Sequence, residues 1–310
     1  MSQHFLRRTF LMTVALLALH GISRAQAGSS GLAFLKLGVS GRGTAMADAM
    51  SATVSGPSAM YYNPAGILEG AVATPATNVM FSHKQWIQDT QLQFLGASLT
   101  FDEKNAAGIA LTTTSVSDIE IRDVPGAPVG TFTARNFLLG GTYARLITQD
   151  VKAAVTLKYL YEKIYIDEAS GYGIDLGAQW QTPMHGLAVG GTIANLGSMT
   201  TLRTQKSSLP SLMRLGPAYT LEFFEPLARL TVAADGLYLF PEKRSYLNLG
   251  GEFVYGEMVA GRLGYQFGST GRGFTAGIGL RYTFMELDYA YAPIAYDLGN
   301  THTLSLALHF

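Results

Sequence analysis

The sequence predicts an all-β transmembrane barrel of about fourteen antiparallel strands, with an N-terminal plug that contains a short helix. Three observations support this fold class. Apolar and polar residues alternate along most of the chain after residue 70, many alternating runs reach about 11–13 residues, and 14% of the 310 residues are charged. Soluble domains usually have strands of about 5–6 residues and about 25% charged residues, whereas membrane barrels use longer strands whose alternate side chains meet lipid.

Composition excludes several classes of function. The chain has no cysteine, which excludes a disulfide scaffold and a thiolate metal site, and its formal net charge of zero gives no basic excess for binding nucleic acid. No HExxH or GxSxG motif is present. A barrel hydrolase would need a Ser/His/acid set that meets in space, and His83 is the candidate histidine to test for it. We therefore expect no cofactor and no enzymatic activity.

The first 27 residues have the pattern of a secretory signal peptide. Arg7 and Arg8 precede a short apolar stretch, and the last three residues, Ala25-Gln26-Ala27, fit an A-x-A cleavage site. The apolar stretch is too short to span a bilayer comfortably, which argues against a membrane anchor.

With cleavage near Ala27, the sequence predicts three parts. They are a signal peptide over 1–27, an N-terminal plug segment over 28–70 and a transmembrane barrel over 71–310. An exported barrel is expected in the bacterial outer membrane, with outer-membrane lipid as its surroundings.

The last ten residues alternate strictly and predict the closing strand. One face carries three leucines and the terminal aromatic residue, Leu304, Leu306, Leu308 and Phe310. A final strand that ends in an aromatic residue resembles the assembly signal of bacterial outer-membrane barrels, which implies the barrel-assembly machinery as a partner. The alternative is an ordinary terminal strand of a soluble sandwich.

Connection lengths predict the topology. The alternating runs place strands at 72–83, 90–101, 105–116, 134–146, 150–163, 171–181, 186–196, 211–223, 227–239, 245–255, 257–267, 273–284, 285–292 and 301–310. Long connections follow odd-numbered strands, at 117–133, 197–210 and 293–300. Short ones follow even-numbered strands, at 102–104, 147–149, 224–226 and Gly256. In membrane barrels the extracellular loops are long and the periplasmic turns are short, so the pattern fits such a barrel.

Charged residues within the strands are expected to face the lumen. A Lys or Arg that faces lipid at the bilayer midplane costs about 2–4 kcal/mol. The predicted luminal set has six basic residues, Lys152, Lys158, Arg214, Arg229, Arg262 and Arg281, and seven acidic residues, Glu162, Asp175, Glu222, Asp235, Glu252, Glu286 and Asp288. This near balance predicts ion pairs that hold the barrel; a charged permeation path is the alternative.

The segment before the first strand has a different character. Its Ala- and Met-rich middle suits a short helix, and its Asn-Pro step favours a turn. A fourteen-stranded barrel is wider than one that its own side chains fill, so this segment could lie inside as a plug. The residues of the plug motif are Gly41, Arg42, Gly43, Met46, Tyr61, Tyr62, Asn63, Pro64, Ala65 and Gly66.

These motif residues resemble the conserved start of the PorV/PorQ family, which belongs with the FadL-like outer-membrane barrels. The resemblance covers residues 32–68, and over the rest of the chain it is one of architecture and length. One departure is Ser55-Gly56-Pro57, where relatives usually carry a pair of acids.

The resemblance implies two alternative functions. As a component associated with type IX secretion, the protein would hold secreted cargo or secretion machinery through the loops 117–133 and 197–210. As a FadL-like passage for small hydrophobic molecules, it would have an apolar pocket between plug and wall. Candidate lining residues are Phe34, Leu35, Met46, Met50 and Met60, although simple packing of the plug also explains the methionines.

Overall fold

Fourteen antiparallel strands form a closed barrel, which confirms the predicted fold class. The computed structural model describes residues 30–69, 76–122, 124–203, 205–223 and 227–310. The predicted signal peptide with its cleavage site and the predicted turn at 224–226 lie outside the described residues.

The strands follow one another around the barrel in chain order. Their bounds are β1 Ala76–Gln85, β2 Gln91–Asp102, β3 Asn105–Ile121, β4 Gly130–Leu146, β5 Val151–Ile164, β6 Asp167–Gln181, β7 Leu187–Met199, β8 Thr201–Leu202, β9 Gln205–Lys206, β10 Leu212–Phe223, β11 Ala228–Leu239, β12 Arg244–Tyr255, β13 Val259–Phe267, β14 Phe274–Tyr282, β15 Met285–Pro293 and β16 Asn300–His309. The short strands β8 and β9 pair only with each other, and β1 pairs with β16 to close the barrel.

The two ends of the barrel differ in their connections. The short-turn end carries 103–104, 147–150, 182–186, 256–258 and 283–284. The long-loop end carries 86–90, 122–129, 165–166, 200–211, 240–243, 268–273 and 294–299. β1 begins and β16 ends at the short-turn end, because Ala76 pairs with Thr100 of β2 and His309 pairs with Asn78 of β1.

Two of the predicted long loops are shorter in the structure. The β3–β4 hairpin continues past a register shift between Val116 and Ile119, so that the loop predicted at 117–133 is reduced to 122–129. The loop predicted at 197–210 contains the end of β7 and the β8–β9 hairpin. The predicted strands ended where the apolar face ends. In the structure, backbone pairing continues past that point, so the strands are longer and the loops shorter than predicted.

The faces of the barrel are inverted relative to a soluble protein. Outward side chains are apolar and exposed, such as Leu157, Leu263 and Ile278, at 62%, 58% and 58%. Inward positions include buried charged residues, such as Asp175 and Arg214. A surface of this kind suits a lipid surrounding.

Residues 30–69, which we call the luminal segment, lie inside the barrel. They form two short α-helices, Gly41–Ala45 and Ala59–Tyr62, and two 3-10 helices, Ala33–Lys36 and Pro64–Ile67. The Gly41–Ala45 helix contacts β13 to β16, and the Pro64–Ile67 helix contacts β2 to β6, so the segment reaches both sides of the lumen. Among the described residues, no helix has the length and apolarity needed to span a membrane.

Candidate functional site

Wall glycines let the luminal segment approach the barrel backbone. A Cβ atom added to Gly190 of β7 would lie 1.9 Å from the Ser51 carbonyl oxygen, and one added to Gly250 of β12 would lie 2.8 Å from the Met46 Cβ. Real Cβ atoms do not approach other atoms so closely. Any side chain at Gly190 would therefore displace the segment or the wall.

Arg42 ties the luminal segment to the acidic part of the wall. Its Nε and Nη2 donate to the two carboxylate oxygens of Glu252 at 2.8 and 2.9 Å. Glu252 also accepts from Arg262 Nε at 2.6 Å, and Arg262 pairs with Asp288. This forked geometry is the strong form of a guanidinium–carboxylate pair. It explains why an arginine stands in the plug motif.

Asp48 makes a second polar connection, near the long-loop end. One carboxylate oxygen accepts from the Tyr62 hydroxyl at 2.9 Å, and the other pairs with Arg272 Nη2 at 3.1 Å. Lys84 lies beside them and donates from Nζ to the Gly38 carbonyl. Burial disfavours the charged carboxylate, but the attraction of Arg272, Lys84 and Arg214 outweighs it and lowers the pKa of Asp48 below its usual value. Lys84 and Arg272 were not among the predicted site residues.

The bend of the segment around Ser51 is held by hydrogen bonds to the wall. Asp235 Oδ2 of β11 accepts from Ser51 N at 2.9 Å and from Ser51 Oγ at 2.7 Å. Asn63 Nδ2 donates at 2.8 Å to both the Ser51 and the Ala178 carbonyl oxygens, and its Oδ1 accepts from Ala65 N. The asparagine of the motif therefore joins two parts of the segment to β6 and begins the following 3-10 helix.

All thirteen predicted luminal charges occupy inward positions, and they differ in their surroundings. Eight are buried, namely Lys158, Glu162, Asp175, Arg214, Asp235, Glu252, Arg262 and Asp288. Lys152 and Glu286 are half-buried, and the remaining three, Glu222, Arg229 and Arg281, are exposed near the short-turn end. Lys158 and Asp175 pair within the wall at 2.5 Å. Several others bind the luminal segment instead, a role that the predicted ion pairs within the barrel did not include.

An apolar cavity lies between the luminal segment and the strands β2 to β5, β7 and β10. Its apolar lining comes from Phe34, Leu35 and Met60 of the segment and from wall residues that include Phe94, Leu138 and Leu212. The cavity is narrow: its volume is about 30 Å³, which is room for about one or two water molecules. Side chains must therefore move before a ligand can enter.

The polar part of the cavity lining contains two basic side chains, one of which pairs with Asp175. It includes Lys158, Asn195 and Arg214. The Arg214 guanidinium lies 5.3 Å and 5.4 Å from the ring centroids of Tyr61 and Tyr62 and donates to the Tyr62 carbonyl. The two tyrosines of the motif therefore position a cation beside the apolar cavity.

Two of the five predicted lining residues lie elsewhere. Met46 packs on the wall at Gly250, and Met50 is part of the buried apolar core. Both methionines were assigned from residue type alone, and packing, the alternative explanation, accounts for them. In the described part of the chain, no group of three or more His, Asp or Glu side chains is arranged to hold a metal ion.

The closed barrel filled by its own N-terminal segment has the fold of solved FadL-type barrels. A FadL homologue from Pseudomonas aeruginosa matches with a TM-score of 0.53 and 11% identity, over 88% of this chain and 98% of that one. The toluene transporter TodX from P. putida matches with a TM-score of 0.57 and 10% identity, over 88% of this chain and 96% of that one. No protein-family profile and no curated protein matches the sequence. These likenesses show a FadL-type barrel fold, and the PorV/PorQ resemblance stays a prediction.

Proposed function

We propose that this protein is an outer-membrane channel for small hydrophobic molecules, gated by the luminal segment. The observation that carries the proposal is the cavity lined by Phe34, Leu35 and Met60 of the segment and by apolar wall residues. The similar barrel of TodX is that of a protein named as a toluene transporter, which favours transport over cargo display as the function here.

The distribution of contacts supports a gate that opens by displacement of the segment. Ion pairs and hydrogen bonds hold the segment at three places. Arg42 binds β12, Asp48 binds the long-loop end, and Asn63 binds β6. At the cavity, by contrast, Phe34 and Leu35 meet Leu138 and Leu160 through apolar contacts only. Apolar contacts are non-directional, so a hydrophobic molecule can replace them without leaving polar groups unpaired.

Uptake of toluene by cells that produce the protein tests the proposal. The host should lack other hydrocarbon channels, and the uptake rate is compared with that of cells carrying an empty vector. Leu138→Trp would fill the cavity with an indole ring, which is larger than the leucine side chain. We expect uptake to fall to the empty-vector rate. Leu139→Trp is the matched control, because the adjacent Leu139 faces outward and is 43% exposed.

Three results would contradict the proposal. They are uptake no faster than in empty-vector cells, unchanged uptake in Leu138→Trp, and equal losses in the two tryptophan variants. Heat-modifiable migration on a gel should show that each variant is a folded barrel, and fractionation should place it in the outer membrane. A change in the surface display of secreted proteins on deletion of the gene, with uptake unaltered, would favour the secretion interpretation instead.

A further inference from the structure

Two cations on the outer wall of the barrel have no ion-pair partner among the described residues. Arg135 of β4 and Lys163 of β5 are both exposed and occupy directly paired positions. Paired positions place Cβ atoms about 5 Å apart, and like charges in such positions destabilise a sheet. A bound anion would remove this repulsion.

The cations lie at the boundary between the apolar band and the long-loop end. Inward Asn136 and Leu138 alternate with outward Arg135 and Phe137 along β4, and the Phe137 ring stacks on Tyr161 of β5 with centroids 5.1 Å apart. Aromatic rings of membrane barrels gather where the hydrocarbon meets the headgroups. Arg135 precedes Phe137 by two residues and Lys163 follows Tyr161 by two, so both lie on the long-loop side of the rings, at headgroup level.

A polar groove adjoins the two cations. It has a volume of about 410 Å³, and its lining includes Gln93, Thr113 and Ser115 together with Arg135 and Lys163. Thr113 Oγ1 donates to Gln93 Oε1 at 2.9 Å, so the floor of the groove is a hydrogen-bonded polar surface. Polar side chains on the outer face of β2 and β3 are unexpected where neighbouring strands present apolar ones to lipid.

We propose that this groove binds the phosphate group of a lipid in the outer leaflet. Arg135 and Lys163 supply the charge-assisted donors that bind phosphate. The rings of Phe137 and Tyr161 lie directly below, where acyl chains of the same lipid begin. Glu168 also pairs with Lys163 in the register, but its carboxylate accepts from the Tyr161 hydroxyl at 2.7 Å, and the cluster keeps a net positive charge.

The inference rests on the outer-membrane location and is independent of transport. Loss of lipid binding with normal toluene uptake, or the reverse, would separate the two proposals.

Native mass spectrometry of the purified barrel in detergent tests the inference, with lipid A that carries two phosphate groups as the probe. The test variant is Arg135→Gln with Lys163→Gln. We expect the amount of bound lipid A to fall about tenfold or more relative to the wild type, because two charge-assisted contacts are lost. The matched control is Arg145→Gln, which removes an exposed cation from the same strand at the short-turn end. It should bind as the wild type does.

Two further probes identify the ligand. Dephosphorylated lipid A should bind the wild type no better than it binds the double variant. Millimolar inorganic phosphate should leave bound lipid A in place. Equal binding of the dephosphorylated lipid, displacement by inorganic phosphate, or an equal loss in Arg145→Gln would each overturn the proposal. Heat-modifiable migration confirms that each variant is folded before it is compared.

Discussion

Loss of the Arg42 ion pair should raise the population of molecules in which the luminal segment is open. Arg42→Gln leaves at most one hydrogen bond where two charge-assisted bonds join the segment to Glu252. A bond of this kind contributes about 1.5–3 kcal/mol. The Arg42 side chain is 22% exposed, and Glu252 keeps Arg262 as a partner. We therefore expect a smaller change of about 1–2 kcal/mol, which corresponds to about 5- to 30-fold more open segment.

A single introduced cysteine can measure this change, because the chain has none of its own. Thr44→Cys is a nearly isosteric reporter in the same helix as Arg42, and Thr44 is fully buried. A thiol reagent reacts with it only in open molecules, so the labelling rate follows the open population when closing is fast. In the Arg42→Gln background the rate should rise about 5- to 30-fold.

Two controls decide whether the reasoning is right. Arg122→Gln breaks an exposed ion pair with Glu120 at the β3–β4 loop and should leave the labelling rate unchanged. Glu252→Gln combined with Arg42→Gln should add little to the single arginine variant, as expected for two members of one pair. A folded Arg42→Gln barrel whose rate stays within about twofold of the parent would refute the role of the pair.

Three further outcomes are expected. Gly190→Val should displace the segment, because its Cβ would meet the Ser51 carbonyl oxygen, and thiol labelling should rise, whereas Gly141→Val, with nothing within 4 Å of its Cβ, should leave labelling unchanged. Because the pKa of Asp48 is lowered in the folded protein, its charge stabilises the fold at pH values above about 3.9, the ordinary pKa of an aspartate. This stabilisation is lost as the pH falls below that value. In a variant whose second tryptophan is replaced (Trp180→Phe), the fluorescence of Trp86, which lies beside Arg272, should report an acid transition that is weaker in Asp48→Asn. Phe310→Ala should lower the yield of heat-modifiable barrel, since Phe310 stacks on Phe284 and ends the predicted assembly signal; an unchanged yield would contradict that role.

The barrel was predictable from the sequence because strand alternation is a local signal. Val155, Leu157 and Tyr159 alternate with Thr156 and Lys158 within five residues, and the cost of a charge in lipid decides which set faces inward. The same reasoning placed Asp175, Glu252 and Arg262 on the inner face, where the structure has them.

The arrangement inside the barrel was much less predictable, because it depends on contacts between distant parts of the chain. Asp48 and Arg272 are 224 residues apart, and neither has a local pattern that identifies the other. The sequence favoured packing for Met46 and Met50 without locating their partners, and the position of Gly250 shows where Met46 packs. A glycine on the polar face of a predicted strand, such as Gly190 or Gly250, is the signal that could have located the segment.

The luminal segment also has a consequence for the order in which the barrel is assembled. The Gly41 amide donates to Ser305 Oγ of β16, 264 residues further along the chain, at 2.6 Å. The same strand closes the seam with β1. The segment therefore cannot complete its contacts until the final strand is in place, and a chain truncated before β16 loses the seam and the docking partner of the helix together. A closed barrel is therefore the earliest state in which the segment can fill the lumen with all its contacts made.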